Sequence, residues 1–223
     1  MDDVSKKEMN AHYSDLLNKH GLSIEALGSK SMEQLTKRFA MLSNIEPITA
    51  QSSILDVGCG LGHLCDYMRN LGWKGKYTGI DINPDMVAAA RERLPNDELI
   101  CLDVLTEHFD NQYDYVICGA AIQHKPTYEN PDEYFEKMIT KLFSIAKKAL
   151  SFDIFSGRVD YKDDDKLYIE PIRLLQVCYS LSDRIVFRND YRPYEIVVYI
   201  FKEVSKDEFN VYSKWKPLHH KII

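Results

Sequence analysis

Residues 54–64 read ILDVGCGLGHL, in which a short apolar run meets three glycines and then a helical pattern. This order of strand, glycine-rich turn and helix is typical of nucleotide-binding α/β domains. Glycine lets the backbone turn sharply and lets a ligand approach it closely. The free N–H groups at the start of the helix favour an anionic group, either a pyrophosphate or a carboxylate. The stretch therefore predicts a ligand site at the end of the first strand.

The spacing of the three glycines separates the possible ligands. Gly58, Gly60 and Gly62 follow the order GxGxG, and His63 stands where the dinucleotide fingerprint GxGxxG has its third glycine. No GK[ST] sequence is present, which excludes a P-loop. The glycine order therefore disfavours an NAD(P)-dependent oxidoreductase.

Acidic residues stand at the ends of three predicted strands. Asp81 ends the second strand, where a carboxylate can accept hydrogen bonds from both hydroxyls of a ribose. Asp103 ends the third strand and could accept from the exocyclic amine of adenine, with Ile82 and Val104 on the two faces of the ring. Asp56, just before the glycines, suits an ammonium group. Asp81 and Asp103 could instead cap the turns that follow their strands.

Strand-like and helix-like segments alternate along most of the chain. Predicted helices occupy residues 85–94, 131–147 and 171–180. The predicted strands are residues 53–57, 77–80, 99–102, 113–118, 149–154, 184–188 and 195–202. Alternation predicts a parallel sheet that is covered by helices on both faces. The last two strands are joined without a helix, which predicts one antiparallel strand.

The chain of 223 residues is long enough for one α/β domain and too short for two typical ones. Residues up to about 47 lack strand patterns and suit two helices with a loop at residues 21–31. We therefore predict a helical cap or lid at residues 1–50, a core at residues 51–205 and a C-terminal tail at residues 206–223.

Four segments together resemble a known family. ILDVGCGLGHL, YTGIDINPDMV, LICLDV and YDYVICGAAIQH are similar, in order and interval, to motifs I to IV of the class I methyltransferases that use S-adenosylmethionine (SAM). The resemblance is specific over residues 54–124 and looser over residues 149–202. Residues 28–31 and 38–39 are similar to uncharacterised bacterial members of small-molecule type.

The resemblance implies an α/β fold with a Rossmann-like seven-stranded sheet of order 3-2-1-4-5-7-6, in which strand 7 is antiparallel. It also implies that SAM binds at the carboxyl ends of strands 1 to 4, in agreement with the general rule for open α/β sheets. The residues expected to bind SAM are Asp56, Gly58, Cys59, Gly60, Gly62, Asp81, Ile82, Asp103, Val104 and Gly119.

Methyl transfer from a sulfonium mainly requires that the acceptor is aligned and water is excluded. If the acceptor is a hydroxyl or an ammonium, a proton must leave, and His124 is the candidate base because it closely follows the fourth strand. It could instead only shape the pocket. Tyr13, Arg38 and Tyr168 are candidate contacts of the acceptor, and each could equally serve packing or surface pairing.

Charge and motif content limit the class of acceptor. The formal net charge is −6, and the stretch after the fourth strand lacks the [DNS]PP[FYW] sequence of many enzymes that methylate nucleic-acid bases. We therefore expect a small-molecule acceptor that is methylated on an O, N or C atom, and no nucleic acid or metal. A non-catalytic SAM-binding sensor and a protein or RNA methyltransferase remain open.

The cysteines and the N-terminus predict the compartment. The five cysteines form no CxxC pair and suit buried, reduced thiols. The polar N-terminus resembles no secretory signal, and no apolar run is long enough to span a bilayer. We expect a cytoplasmic protein.

Overall fold

The computed structural model describes residues 2–45 and 48–202. Its helices are α1 (Asp3–His20), α2 (Met32–Ser43), α3 (His63–Asn70), α4 (Pro84–Arg93), α5 (Pro131–Ile145) and α6 (Pro171–Leu181), with a 3₁₀ turn at Ile24–Leu27. Its strands are β1 (Ile54–Val57), β2 (Tyr77–Asp81), β3 (Glu98–Cys101), β4 (Tyr113–Cys118), β5 (Ala146–Ser156), β6 (Tyr168–Ile169), β7 (Ile185–Arg188) and β8 (Glu195–Phe201).

The strands form one sheet of order β3-β2-β1-β4-β5-β8-β7. Strands β1 to β5 pair in parallel, and β8 is antiparallel to both β5 and β7. Because β8 and β7 are the predicted strands 7 and 6, the α/β class and the Rossmann-like order are confirmed.

The predicted count of seven strands is wrong, because a short eighth strand is present. The two residues of β6 pair in parallel with Phe155 and Ser156 of β5. The pairing of β5 with β4 ends at Phe152, so β6 occupies the edge that β4 leaves free beyond that residue. Two residues are too few to show a period, so the sequence pattern could not reveal this strand.

Successive residues of β1 pack on opposite faces of the sheet, as the alternation of side chains in a strand requires. Leu55 and Val57 belong to the apolar cluster that includes Phe135 of α5. Ile54 belongs to the cluster on the other face, with Leu64 of α3. Every residue of β1 is buried, which is typical of a parallel strand covered on both sides.

An asparagine and a proline start helix α4. The side chain of Asn83 accepts hydrogen bonds from the N–H groups of Asp85 and Met86, and Pro84 is the first residue of α4. Helix α5 ends earlier than predicted, at Ile145, because Ala146 already pairs with β4 as the first residue of β5.

Four of the five cysteines agree with the expectation of buried thiols, and one does not. Cys59, Cys65, Cys118 and Cys178 are free and buried, but Cys101 is exposed. The expectation of a buried thiol there is wrong because Cys101 ends β3, the strand at one edge of the sheet.

The tail at residues 206–223 lies outside the described residues, and the division into cap and core stays a prediction. In the described ranges, no helix is long and apolar enough to cross a membrane.

Candidate functional site

A cavity of about 390 Å³ lies at the carboxyl ends of β1 to β5, and α1 and α2 form part of its wall. This volume is within the range of small-molecule sites. The predicted site residues that line the cavity are Tyr13, Arg38, Asp56, Gly58, Cys59, Gly60, Asp81, Ile82, Asp103, Val104, Gly119 and His124. Parallel strands bring these residues together because their carboxyl ends meet at one edge of the sheet.

Gly58 permits a close contact between two loops of the cavity wall. Its φ is +72°, and a Cβ atom built there would lie only 2.3 Å from Cβ of Ala121 in the loop after β4. Gly62 serves packing instead of lining the cavity. It caps α3 with a φ of +76°, and a Cβ there would lie 2.4 Å from Cδ1 of Leu94. Two of the three glycines of the motif therefore face the cavity, and the third sets the start of the helix.

The carboxylate of Asp81 connects the glycine loop to the start of α4. Oδ2 accepts a hydrogen bond of 2.9 Å from Gly60 N, and Oδ1 accepts one of 2.9 Å from Asn83 N. Burial raises the pKa of Asp81. The turn-capping role and the ligand-binding role are compatible because a carboxylate offers about four acceptor positions.

Asp56 is a buried carboxylate with a neutral partner. Its side chain lines the cavity, and Oδ2 accepts a hydrogen bond of 2.7 Å from the hydroxyl of Tyr77. Burial raises the pKa of Asp56 to about 7, although the bond from Tyr77 opposes the shift. A cationic group at this carboxylate would offset the cost of burying its charge.

Asp103 is held by the N-terminal helix, which the sequence did not reveal. Nζ of Lys6 lies 3.1 Å from Oδ2 of Asp103, and Leu105 N donates to Oδ1 at 3.1 Å. Burial opposes ionisation, but the bond from Leu105 and the charge of Lys6 outweigh it and lower the pKa of Asp103. The predicted adenine ligand would therefore share this carboxylate with α1.

Tyr13 and His124 meet in the cavity wall. The hydroxyl of Tyr13 lies 3.1 Å from Nε2 of His124, and their rings contact edge to face. Burial, together with the charge of Lys166, lowers the pKa of His124 to about 4, so the imidazole is neutral at pH 7. Burial raises the pKa of Tyr13 to about 12. A phenol and a neutral imidazole therefore face the same space.

Arg38 lies in a group of charges of which the sequence predicted only one member. Nε of Arg38 is 2.8 Å from Oδ2 of Asp153, and its Nη2 donates to Oε1 of Glu195 at 2.7 Å. Asp153 also accepts a bond of 2.7 Å from Ala120 N, where φ is +62°. The signal that could have revealed Asp153 is a lone carboxylate within the apolar run of β5.

Tyr168 does not line the cavity. Its hydroxyl accepts a hydrogen bond from Asp163 N at 3.1 Å, and its ring lies 5.5 Å from that of Phe155, which does line the cavity. Among the residues that the structure describes, no three His, Cys, Asp or Glu side chains are grouped as metal ligands.

Sequence and fold comparisons agree with this architecture. A family model described as a methyltransferase domain matches residues 54–143. A putative methyltransferase of Mycobacterium tuberculosis is 31% identical over 160 residues, which cover 67% of this chain and 93% of the relative. The phosphoethanolamine N-methyltransferase of Plasmodium falciparum is 27% identical over 187 residues, and the match spans 82% of this chain but only 66% of that enzyme.

A solved structure shares the fold at low identity. The magnesium protoporphyrin IX methyltransferase of Synechocystis PCC 6803, crystallised with SAM, superposes with a TM-score of 0.54 at 17% identity. The superposition covers 77% of each chain.

Proposed function

The chain belongs to the class I SAM-dependent methyltransferases, and from that premise we propose that it transfers a methyl group from SAM to an O, N or C atom of a small cytoplasmic molecule. The observation that carries the proposal is the meeting of Tyr13 and His124 in a cavity that the glycine loop also lines. SAM supplies a methyl group that its sulfonium already activates, so the enzyme mainly has to align the acceptor and exclude water.

The cavity residues fit the parts of SAM. Asp56, a buried carboxylate whose pKa is raised to about 7, suits the ammonium group. Asp81 would accept from the ribose hydroxyls and Asp103 from the adenine amine. Ile82 and Val104, which also line the cavity, would contact the faces of the ring.

His124 and Tyr13 would act on the acceptor. His124 is neutral at pH 7, and a proton from a hydroxyl or ammonium acceptor would reach its Nε2 through the hydroxyl of Tyr13, which passes its own proton to Nε2 as it takes the proton of the acceptor. Tyr13 orients the imidazole through its hydroxyl and places a phenol beside the acceptor. Arg38 would bind a polar group of the acceptor. Tyr168 would act only through Phe155, whose ring it contacts.

The cofactor assignment can be tested by removing the carboxylate of Asp81. Asp81→Ala should weaken SAM binding at least about hundredfold, because two hydrogen bonds to an ionised group are lost. Isothermal titration calorimetry with SAM measures the affinity, and circular dichroism checks the fold. The matched control is Asp110→Ala, which removes a carboxylate that is 77% exposed. Unchanged SAM affinity in Asp81→Ala would refute the ribose role, and tighter binding of NAD than of SAM would refute the cofactor.

The transfer itself needs a separate assay. The purified protein should transfer labelled methyl groups from SAM into a pool of small metabolites. Binding of SAM without turnover would instead indicate a non-catalytic SAM-binding protein.

A further inference from the structure

Four charged side chains meet where α2 packs against β5 and β8. Glu195 accepts from Nη2 of Arg38 at 2.7 Å, from Nη1 of Arg192 at 2.9 Å to each oxygen, and from the hydroxyl of Tyr191 at 3.1 Å. Asp153 accepts from Ala120 N and pairs with Nε of Arg38. Asp153 and Glu195 are 0% and 2% exposed. We call Arg38 and Arg192 the arginine pair.

Both oxygens of Glu195 and Oδ1 of Asp153 accept hydrogen bonds from protein groups, and the arginine pair retains free donors. Two guanidinium groups carry roughly ten N–H donors. The hydrogen bonds of the pair run from Nη2 of Arg38 to Glu195 and from Arg192 to Glu195 and Gln34 O, and they use fewer than half of these donors. The rest, including Nη1 of Arg38, have no hydrogen-bond partner among the described residues. Asp153 and Glu195 fix the positions of both guanidinium groups. The unpaired N–H groups of the arginine pair can therefore donate to a bound ligand without further rearrangement.

The arginine pair lines the same cavity as Tyr13 and His124. A fixed guanidinium group binds planar or tetrahedral oxyanions through two parallel hydrogen bonds. Lys30 lines the cavity as well. Buried ion pairs alone add little stability over apolar residues of the same size, so packing gives no reason to keep both arginines in this wall.

We propose that the arginine pair binds an oxyanion of the methyl acceptor, a carboxylate or a phosphate, so that the substrates of this enzyme are anionic small molecules. The inference rests on the proposed function and names the class of its acceptor. The oxyanion would anchor one end of the acceptor while its reactive atom faces Tyr13 and His124.

The test measures anion binding with the cofactor part of the cavity already filled. The protein is saturated with S-adenosylhomocysteine, which carries the same amino-acid end as SAM, and is titrated separately with inorganic phosphate and with sodium acetate by calorimetry. We expect saturable binding of one of these anions at one site, with a Kd on the order of 1 mM. Preference for phosphate or acetate distinguishes a phosphorylated acceptor from a carboxylic acid.

Variants connect the anion to the arginine pair. Arg192→Gln and Arg38→Lys should each weaken anion binding about tenfold or more and change SAM affinity less than about threefold. Arg38→Lys keeps the charge beside Asp153, and Arg192→Gln leaves Glu195 paired with Arg38, so at least one variant should fold. The matched controls are Lys37→Gln, one residue away on α2 and 64% exposed, and Arg188→Gln, which pairs with Asp190 at the surface.

Three results would overturn the proposal. They are no saturable anion binding by the wild-type protein, wild-type anion binding in both arginine variants, and a loss of SAM affinity in those variants without a loss of anion binding. The last result would mean that the arginine pair holds the carboxylate of the cofactor. Failure of the wild-type protein to bind S-adenosylhomocysteine would count against the proposed function, and the anion titration would then show only whether the arginine pair binds an oxyanion.

Discussion

The hydroxyl oxygen of Tyr13 lies 3.1 Å from Nε2 of His124, which joins α1 to the loop after β4 within the cavity wall. Because the pKa of His124 is about 4, the imidazole is neutral and can accept this hydrogen bond. The pair therefore forms only when α1 lies over the cavity. This hydrogen bond connects the position of α1 to the orientation of the candidate base.

Removal of either partner should reduce turnover more than SAM binding. His124→Ala should lower kcat by about 10² to 10⁴, the usual contribution of a general base, and Tyr13→Phe should lower it less because the imidazole remains. SAM affinity should change little, since the predicted cofactor contacts are unaltered. Steady-state kinetics and calorimetry measure the two effects. His108→Ala, which removes a side chain that is 85% exposed, is the control. Full activity in His124→Ala would exclude it as the base.

The low pKa of His124 should appear in the pH dependence of stability. Between pH 6.5 and about 4 the unfolded chain binds a proton at this histidine and the folded chain does not. The contribution of His124 to the free energy of unfolding is therefore at its full value above pH 6.5. It decreases as the pH falls toward 4, by up to about 3 kcal/mol in total. Urea unfolding of the wild-type protein and of His124→Gln at pH 7 and pH 5 isolates the contribution of His124. An equal decrease of the unfolding free energy in both proteins would contradict the lowered pKa of His124.

The raised pKa of Asp56 predicts pH-dependent binding of SAM. With a pKa of about 7, Asp56 is increasingly protonated below neutral pH, and the proton competes with the ammonium group of SAM. SAM affinity should therefore fall by up to about tenfold per unit as pH decreases below 7. Calorimetric titration from pH 8 to pH 5 measures the slope. Asp56→Asn should bind more weakly and without this slope, and a retained slope would assign the titration to another group.

A methyl group at Gly58 should destabilise the fold through contact with Ala121. Gly58→Ala places Cβ 2.3 Å from Cβ of Ala121 and should cost about 1–3 kcal/mol beyond the strain of its positive φ. Gly72→Ala is the control, because its φ is +88° and nothing lies within 4 Å of the added Cβ. Urea unfolding gives both free energies.

The double variant Gly58→Ala/Ala121→Gly isolates the contact between the two loops. Ala121→Gly removes the methyl group that the new Cβ at residue 58 would contact. The double variant should therefore regain most of the unfolding free energy that Gly58→Ala loses beyond the loss in Gly72→Ala. Equal costs in Gly58→Ala and Gly72→Ala would show that only the backbone conformation matters.

Local patterns were sufficient to predict much of the fold. The run of β1, the glycines and α3 are adjacent in the chain, so the amino-acid order alone indicates their geometry. The same holds for Asn83 and Pro84 at the start of α4. The exceptions are β6, which is too short to have a period, and the exposure of Cys101, which depends on which strand forms the edge.

The sequence by itself determined the alternating α/β order and the glycine loop with its acids, because these features are periodic or lie within a few residues of each other. Only the tertiary structure decided the partners of those acids and bases. Lys6 reaches Asp103 across 97 positions, Tyr13 reaches His124 across 111, and Arg38 reaches Glu195 across 157. Such contacts depend on how α1 and α2 pack over the sheet edge, and no local period encodes that packing.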